Sequence, residues 1–268
     1  MVFLFVLWYI VFGDNMKKKM FLIIFSVIAV SILVFAIFLI HNGLELKKLK
    51  EEPIALPEDF TYTAHTGCVD TKDNTLEAIE VGAKYGADIV EFDLNFLPDG
   101  TPVLAHDEPK GNETTLEEAF KKISEYEGLK ANVDIKSTQN LKAVYPLARK
   151  YGIEDRIFYT GVTTDFLESV KKDSPEIPYY LNVNVKKKRK QTPEYLEELV
   201  KTVKDSGAIG INFNKDNATK ELVDTFHEND LQVSIWTVNK KAKMYKILSL
   251  KPDNITTRRP DKMEKLLK

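Results

Sequence analysis

The sequence predicts an α/β protein of the (β/α)8 class, a TIM barrel, preceded by one N-terminal transmembrane helix. From residue 61 onward, short apolar runs alternate with amphipathic helical patterns, which is typical of a parallel sheet covered by helices. Eight such runs occur within about 200 residues, the number of strands that closes into a barrel. Before them, an uncharged apolar run from Met20 to Ile40 is long enough to span roughly 30 Å of hydrocarbon.

The composition suits a globular domain and excludes some classes of function. The 268 residues are 44% hydrophobic, and a formal net charge of -2 provides no general field that would attract nucleic acid, so no such partner is predicted. The single cysteine, Cys68, cannot form an internal disulfide. It also lies far from the apolar run, whereas a lipoprotein-type anchor needs a cysteine directly after that run.

The apolar run at residues 20–40 is interpreted as an uncleaved transmembrane anchor. A cleaved signal peptide has a shorter apolar core of about 7–15 residues and a small-x-small cleavage site, and neither precedes His41. Lys17–Lys19 abut the run on one side, whereas the lysines on the other side begin only at Lys47. Because positively charged flanks tend to stay inside, segment 1–19 is predicted to be cytoplasmic, the protein to be single-pass, and the domain after the run to be extracytoplasmic.

Two further segments flank the anchor. The run from Val2 to Phe12 is too short to span a membrane, so it is either an interfacial segment or a sign that translation begins later, at Met16. Residues 41–60 are polar, contain two prolines and follow no sustained period, which indicates a short tether. Residues 61–268 form the predicted barrel domain.

The barrel elements follow in order. The predicted strands are TYTAHTG, DIVEFDLNF, KANVDIK, RIFYTGV, PYYLNVNV, IGINFN, QVSIWTVN and NITT. The predicted helix N-caps are Asn74 (with Glu77 as its reciprocal partner), Thr115, Thr138, Thr164 and Thr192, and a short last helix begins at Asp261. An open doubly wound sheet is the alternative, but it usually carries a glycine-rich phosphate loop after its first strand, and none follows residues 65–68.

Polar residues stand where the first three strands end, which is where a (β/α)8 barrel carries its active site. They are His65, Glu91, Asp93, His106, Asp134 and Lys136, with His106 on a short TPVLAHD segment that a PDG turn pairs with the second strand. Side chains alternate along a strand, so Glu91 and Asp93 share one face, as do Asp134 and Lys136. Each pair can point into one mouth.

Three converging carboxylates would repel one another unless a cation neutralised them. Oxygen ligands favour a hard ion, Mg²⁺ or Ca²⁺, whereas zinc would want more nitrogen or sulfur. The two histidines are then predicted to act as general base (His65) and general acid (His106), and Lys136 to offset charge on phosphoryl oxygens. A simple ion pair between Asp134 and Lys136 is the alternative interpretation.

These residues resemble a known family. AHTG and then DNTLEAIEVGAKYGADIVEFDLNFLPDGTPVLAHD are similar to the signature of glycerophosphodiester phosphodiesterases, and the resemblance continues through VDIKS, SIWTVN and ITTRRPD. It implies a (β/α)8 fold and metal-dependent hydrolysis of glycerophosphodiesters to glycerol phosphate and an alcohol. The family roles carry over to the acid/base pair His65 and His106, the metal ligands Glu91, Asp93 and Asp134, the phosphate contact Lys136 and the pocket wall Trp236. Asp134 stands where the family commonly has glutamate, a shorter reach that could shift the metal preference.

The chain departs from the family pattern at two places. Thr66 replaces the arginine that follows the first histidine, which removes a bidentate phosphate donor. Arg258 and Arg259 are expected to be substrate-binding residues, because the eighth strand closes against the first and one of them could supply the missing guanidinium. The second departure is the absence of a substrate-covering insertion after His106, so an open site is expected.

Several functional alternatives stay open at this stage. The alcohol could be a lipid headgroup, the substrate could be of lysophospholipid type, or it could be a glycerol-phosphate polymer. The loss of the arginine could leave a non-catalytic phosphodiester-binding module, and a lyase-type phospholipase that forms a cyclic phosphate could share the barrel. The basic run Lys186–Lys190 is either a solvated loop or a site that attracts anionic headgroups or phosphate polymers.

Overall fold

The computed structural model describes residues 14–51 and 55–268, which divide into an N-terminal helical unit and a barrel unit. The first unit is the helix α1 (Asp14–Glu51). Its segment Ile23–His41 has a mean hydropathy of 3.2 and no buried side chains, so it is long and apolar enough to cross a membrane. The predicted interfacial or late-start segment, residues 2–12, lies outside the described residues.

The predicted tether differs from the structure in its first half. Helix α1 continues past residue 41 to Glu51. The leucine, glutamate and lysine residues that follow Gly43 are strong helix formers, and an exposed ion pair joins Lys47 to Glu51 at 3.8 Å, one helical turn apart. Residues 55–60 contain neither helix nor strand.

The second unit is a closed barrel of eight parallel strands with one antiparallel addition. In chain order the strands are β1 (Thr61–Ala64), β2 (Ile89–Phe96), β3 (Pro102–Leu104), β4 (Lys130–Ile135), β5 (Ile157–Val162), β6 (Tyr179–Asn182), β7 (Gly210–Asn214), β8 (Gln232–Trp236) and β9 (Asn254–Thr257). Strand β1 pairs in parallel with both β2 and β9, which closes the sheet. Strand β3 runs antiparallel to the end of β2. The predicted (β/α)8 class is confirmed.

Helices cover the outside of this barrel. They are α2 (Leu76–Lys84), α3 (Leu116–Ser124), α4 (Val144–Lys150), α5 (Leu167–Asp173), α6 (Pro193–Ser206), α7 (Lys220–His227), α8 (Lys241–Leu248) and α9 (Pro260–Leu267). Alternation along β2 separates two environments: Phe92 packs edge-on against Phe120 of α3, with ring centroids 6.4 Å apart, while its neighbours Glu91 and Asp93 face the barrel mouth. The outer layer is therefore apolar where the helices pack, and the inner layer carries the chemistry.

The helix starts test the predicted caps one by one. Thr115 forms a complete capping box with Glu118, as expected for an N-cap threonine. The cap of α2 is Thr75 and not Asn74, because Asn74 is in the left-handed region (φ 60) with its side chain turned into the barrel. Thr138 caps no helix, since a short 3₁₀ turn (Leu141–Ala143) precedes α4.

Three further starts lie close to their predicted positions. Thr164 begins a 3₁₀ turn ahead of α5, and α6 begins at Pro193 directly after Thr192. The last helix starts at Pro260, one residue before the predicted Asp261. Proline suits this first position because its missing N–H would have no partner there.

Candidate active site

A cavity of about 600 Å³ opens where the parallel strands end. Of the residues predicted to form the site, those that line it are His65, Glu91, Asp93, His106, Asp134, Lys136, Trp236 and Arg258. Arg259 is not among them. The fold thus brings together residues from β1, β2, β4, β8, the segment after β3 and the end of β9, which span almost the whole domain.

The register between β2 and β4 places the three carboxylates side by side. Glu91 pairs with Asn132 and Asp93 pairs with Asp134 across these parallel strands. One ligand oxygen of each of Glu91, Asp93 and Asp134 lies within 4.8 Å of the others. Both β2 carboxylates are buried, so the cluster faces little solvent that could screen its mutual repulsion.

One oxygen of each carboxylate accepts a hydrogen bond from an uncharged donor. The backbone N–H of Thr66 donates to Oε2 of Glu91 at 2.8 Å, the Asn74 amide donates to Oδ2 of Asp93 at 2.9 Å, and the Thr160 hydroxyl donates to Oδ1 of Asp134 at 2.9 Å. The second oxygens of the two aspartates remain directed to a common cation, the ammonium of Lys136. Among the described residues, Oε1 of Glu91 has no hydrogen-bond partner.

Burial makes Glu91 hard to ionise in the metal-free protein. Desolvation, opposed by the charge of His65 and reinforced by the charges of Asp93 and Asp134, raises the pKa of Glu91 to about 7. A bound divalent cation would remove this penalty, because it would favour the ionised form. The all-oxygen donor set and the excess negative charge fit a hard divalent ion.

Lys136 occupies the space between two of these carboxylates. Its Nζ lies 3.0 Å from Oδ1 of Asp93 and 2.5 Å from Oδ2 of Asp134. Burial alone would lower the pKa of Lys136, but the charges of Asp134 and Asp93 outweigh it and raise the pKa above its usual value. The ion pair predicted as an alternative is therefore present, and it includes Asp93 as well as Asp134.

Thr66 and Asn74 form a scaffold beneath the carboxylates. The Thr66 hydroxyl accepts the backbone N–H of Asn74 at 2.5 Å and donates to its side-chain oxygen at 3.3 Å. That same oxygen accepts the backbone N–H of Asp93 at 3.0 Å. The residue in the family's arginine position is thus buried and structural, and it does not reach into the cavity. The role of Asn74 cannot be distinguished in the sequence, because an asparagine before a helix also suits a cap.

The two histidines are oriented through Nδ1. His65 directly follows β1, and its Nδ1 lies 3.0 Å from the Thr66 carbonyl oxygen and 3.5 Å from Oε2 of Glu91. His106 follows β3 and is more exposed, with Nδ1 2.8 Å from Oδ1 of Asp107. Both rings therefore keep Nε2 available to a ligand in the cavity.

The two candidate arginines have different surroundings. Arg258 lines the cavity and makes a bidentate pair with Asp73, at 2.6 Å and 3.0 Å, which lowers the pKa of that carboxyl. Arg259 instead forks onto Asp261 of α9, at 2.7 Å and 2.6 Å. Only Arg258 is placed where a phosphate could meet it.

Comparison with known proteins decides the assignment. The chain matches the glycerophosphoryl diester phosphodiesterase family model over residues 58–115 and 108–262. The chain belongs to the glycerophosphoryl diester phosphodiesterase family. The resemblance carried by the sequence motifs is confirmed, and so is the enzyme class of a phosphoric diester hydrolase.

Individual relatives of this phosphodiesterase are distant. An uncharacterized Bacillus subtilis protein, YqiK, is 22% identical over 236 residues, which are 73% of this chain and 93% of that protein. Bovine glycerophosphodiester phosphodiesterase 1 is 56% identical over 41 residues, only 15% of this chain and 12% of that protein. The latter match is therefore local.

Solved structures share the fold of this phosphodiesterase. A glycerophosphodiester phosphodiesterase from Thermotoga maritima has a TM-score of 0.62 at 19% identity, covering 77% of this chain and 98% of that one. An Oleispira antarctica phosphodiesterase, solved with the product sn-glycerol-3-phosphate, has a TM-score of 0.62 at 19% identity over 79% of this chain and 97% of that one. At these identities the likeness establishes the barrel.

The remaining cavity wall of the phosphodiesterase comes from residues that were not predicted. Asn182 on β6 is paired with Asn212 on β7, and the Asn212 amide donates to the Asn182 side-chain oxygen at 3.0 Å. Within the described residues, the Asn212 oxygen and the Trp236 indole N–H are buried without a partner. Both residues line the cavity. Single asparagines on apolar strands carry no sequence motif, so only their arrangement in the barrel distinguishes them.

Proposed function

We propose that this protein is a membrane-anchored, divalent-metal-dependent phosphodiesterase that hydrolyses glycerophosphodiesters to glycerol phosphate and an alcohol. The observation that carries the proposal is the cluster of three carboxylates, within 4.8 Å of one another, in the cavity that His65 and His106 also line. Two proton carriers beside a cation site are the parts needed for metal-assisted phosphoryl transfer.

Glu91, Asp93 and Asp134 are proposed to hold the metal. Their oxygen-only donor set favours Mg²⁺ or Ca²⁺ over zinc. When bound, such an ion supplies positive charge to the phosphoryl oxygens, where negative charge grows during the reaction. Thr66, Asn74 and Thr160 hold the opposite carboxylate oxygens, a supporting layer of hydrogen bonds that typically tunes metal affinity.

The histidines are proposed to move protons in opposite directions. His65 can donate Nδ1–H to the Thr66 carbonyl, which leaves Nε2 as the acceptor for a proton from the attacking water. Nδ1 of His106 lies beside the Asp107 carboxylate, which orients the ring, and His106 is proposed as the proton donor. As the water oxygen bonds to phosphorus and the P–O bond to the alcohol breaks, His65 takes a proton and His106 delivers one to the departing alkoxide.

Lys136 and Arg258 are proposed to contact the phosphate. Strand β9 pairs with β1, with Thr257 opposite Ala64, so the residue after β9 lies beside the residues after β1. Arg258 therefore lies beside the position where the family has an arginine and this chain has Thr66. Its pairing with Asp73 orients the guanidinium without adding a further free charge. Trp236 is proposed as a pocket wall.

The anchor is proposed to be α1. The exposed apolar segment Ile23–His41 supports a single membrane span, and Lys17–Lys19 support a cytoplasmic amino terminus with the barrel outside. The protein should resist alkaline carbonate extraction, and protease added to intact spheroplasts should degrade the barrel. Protection of the barrel in intact spheroplasts would contradict the orientation.

The catalytic proposal is tested by hydrolysis of glycerophosphocholine with the full chain purified in detergent. Glycerol phosphate should appear, stop with EDTA and resume when Mg²⁺ or Ca²⁺ is restored. Phosphorus NMR of the product separates hydrolysis from a lyase reaction, which would give a cyclic phosphate first. Undiminished turnover in EDTA would contradict the metal requirement, and binding without turnover of any glycerophosphodiester would contradict the proposed activity.

A further inference from the structure

Basic side chains are concentrated on one side of the barrel mouth. The segment between β6 and α6, residues 183–192, contains five basic and no acidic side chains. The neighbouring loops add more cations along the same edge. We call this set the basic rim; it comprises Lys186–Lys190, Lys215, Lys240, Lys241 and Lys243.

The opposite side of the mouth has the other sign. Residues 105–115, between β3 and α3, contain three acidic side chains and one basic side chain, and residues 65–75 contain two acidic side chains and one basic side chain. The mouth therefore has an electrostatic direction that the net charge of -2 conceals. An extended anion that left the cavity would be drawn across the β6–β8 edge.

Lysines from three separate segments meet around Asp216. Lys215 and Lys243 each lie 3.7 Å from the Asp216 carboxylate, and Lys190 donates to the Asp216 backbone carbonyl at 3.2 Å. Partial burial lowers the pKa of Lys243, and although Asp216 opposes this shift, Lys215, Lys190 and Lys246 add to it. One carboxylate shared by two ammonium groups, with a third ammonium on the neighbouring backbone carbonyl, leaves an excess of positive charge that an additional anion would relieve.

The long turn of the rim is anchored on the barrel. Val185 is buried, and the Tyr195 hydroxyl of α6 accepts the backbone N–H of Lys186 at 2.9 Å. The guanidinium of Arg189 lies over the Tyr195 ring, 4.7 Å from its centroid. Lys187 and Lys188, at the tip, are exposed and form no ion pair with any residue between 55 and 268. These two lysines are free to meet a ligand.

We propose that the basic rim binds successive phosphates of a polyanionic phosphodiester, a chain of glycerol phosphate units, while one diester of that chain lies in the cavity. This substrate class rests on the proposed phosphodiesterase function. Strand β6 ends at Asn182, which lines the cavity, and the turn begins only four residues later at Lys186. The rim is therefore close in sequence to a residue that lines the cavity, and it lies on the same face of the barrel.

An anionic bilayer surface is the competing ligand for such a rim. A surface that inserts into a bilayer usually carries exposed apolar side chains beside its cations. Between residues 55 and 268, the exposed large hydrophobic residues are Ile209, which precedes β7 at the opposite end of the barrel, and Leu267 at the end of α9. Neither belongs to the rim, so the observations favour a soluble polyanion.

The experiment measures binding of a fluorescein-labelled synthetic oligo(glycerol phosphate) to the full chain in non-ionic detergent, by fluorescence anisotropy with EDTA present. The test variant is Lys187→Glu with Lys188→Glu. The matched control is Lys171→Glu with Lys172→Glu, another adjacent and exposed pair, on α5. The test variant should weaken binding about tenfold or more at low salt, with a smaller difference at high salt, because each phosphate contact releases counterions. The control should change binding less than twofold.

Each outcome decides the proposal. Equal weakening by both variants, or unchanged binding by the test variant, would overturn it. A second assay measures glycerophosphocholine turnover by the full chain reconstituted in phosphatidylglycerol or in phosphatidylcholine vesicles. If the test variant changed only this turnover, in phosphatidylglycerol vesicles and not in phosphatidylcholine vesicles, the rim would contact the bilayer and the proposal would be overturned. Because binding is measured with EDTA, it does not depend on turnover. Failure to hydrolyse glycerophosphocholine would contradict the proposed activity. The anisotropy result would still decide whether the basic rim binds oligo(glycerol phosphate).

Discussion

Asn74 holds Asp93 at two points: its side-chain oxygen accepts the Asp93 backbone N–H at 3.0 Å, and its amide donates to the Asp93 carboxylate at 2.9 Å. The next residue, Thr75, caps α2 by accepting the backbone N–H of Ala78 at 3.3 Å. Two adjacent residues thus divide the work, one fixing a carboxylate of the site and the other the start of a helix.

This division predicts opposite phenotypes for adjacent substitutions. Asn74→Ala should weaken metal binding about 10–100-fold, because Asp93, a proposed metal ligand, loses the hydrogen bonds that orient it. Thr75→Ala should leave metal binding unchanged and cost about 1 kcal/mol of stability through loss of the cap. Metal titration of activity and thermal unfolding of the detergent-solubilised chain measure the two effects. Equal metal affinity in both variants would refute the assignment.

The histidines should be separable by the leaving group. His65→Gln and His106→Gln should each lower kcat for glycerophosphocholine by about 10²–10⁴. A p-nitrophenyl diester needs no proton on its leaving group, so it should restore much of the activity of His106→Gln and little of that of His65→Gln. His227→Gln is the control, because His227 does not line the cavity and its Nε2 lies 2.8 Å from Oδ2 of Asp253. Equal rescue of both variants would rule out the assigned roles.

Arg258 should matter for substrate and Arg259 should not. Arg258→Ala should reduce kcat/KM about 10–100-fold, equivalent to one charged hydrogen bond of about 1.5–3 kcal/mol. Arg258→Lys should recover little, since an ammonium cannot reproduce the planar fork that pairs with Asp73. Arg259→Ala is the matched control and should stay within about twofold, because its partner is Asp261. Kinetics that are unchanged in Arg258→Ala would end the hypothesis of a replaced guanidinium.

Gly67 should be intolerant of a side chain. It has φ 68, and a Cβ there would lie 1.7 Å from Oδ1 of Asp73 and 2.6 Å from a nitrogen of Arg258. Gly67→Ala should therefore lower both activity and stability, the latter by about 1–3 kcal/mol. Gly128→Ala separates the contact from the backbone strain, because Gly128 has φ 73 and open space around its Cα. It should cost about 1 kcal/mol and keep full activity. Similar activities in the two variants would show that the Asp73–Arg258 contact is dispensable.

Lys136 should compete with the metal while assisting the reaction. Lys136→Met leaves Asp93 and Asp134 without their ammonium partner, so the metal-free variant should unfold at a lower temperature than the unaltered protein. Added Mg²⁺ should raise its Tm by more than it raises that of the unaltered protein, because the vacated carboxylates bind the ion more tightly. Activity should fall at saturating metal. Thermal scans over a metal series measure this, and identical metal responses would contradict the competition.

Much of the fold and the site could be predicted from local patterns. The period-two alternation in β2 places Glu91 and Asp93 on the face opposite Phe92, and their order along a (β/α)8 chain places them at the mouth with Asp134. These features depend on spacing within a single strand or on the standard order of elements. They can therefore be predicted from the sequence alone, as can the apolar segment of α1 and the family motifs.

The sequence by itself determined the barrel class and the residue types at the strand ends, because the alternation of strand and helix patterns and the motifs at the strand ends are local features. Only the tertiary structure decided what those residues touch. Barrel closure brings Arg258 to Asp73 across 185 positions and turns Asn74 from an apparent helix cap into a partner of Asp93. It also brings lysines from three separate segments, Lys190, Lys215 and Lys243, around Asp216. Such contacts depend on which strands become neighbours and in what register, and no local pattern contains that information.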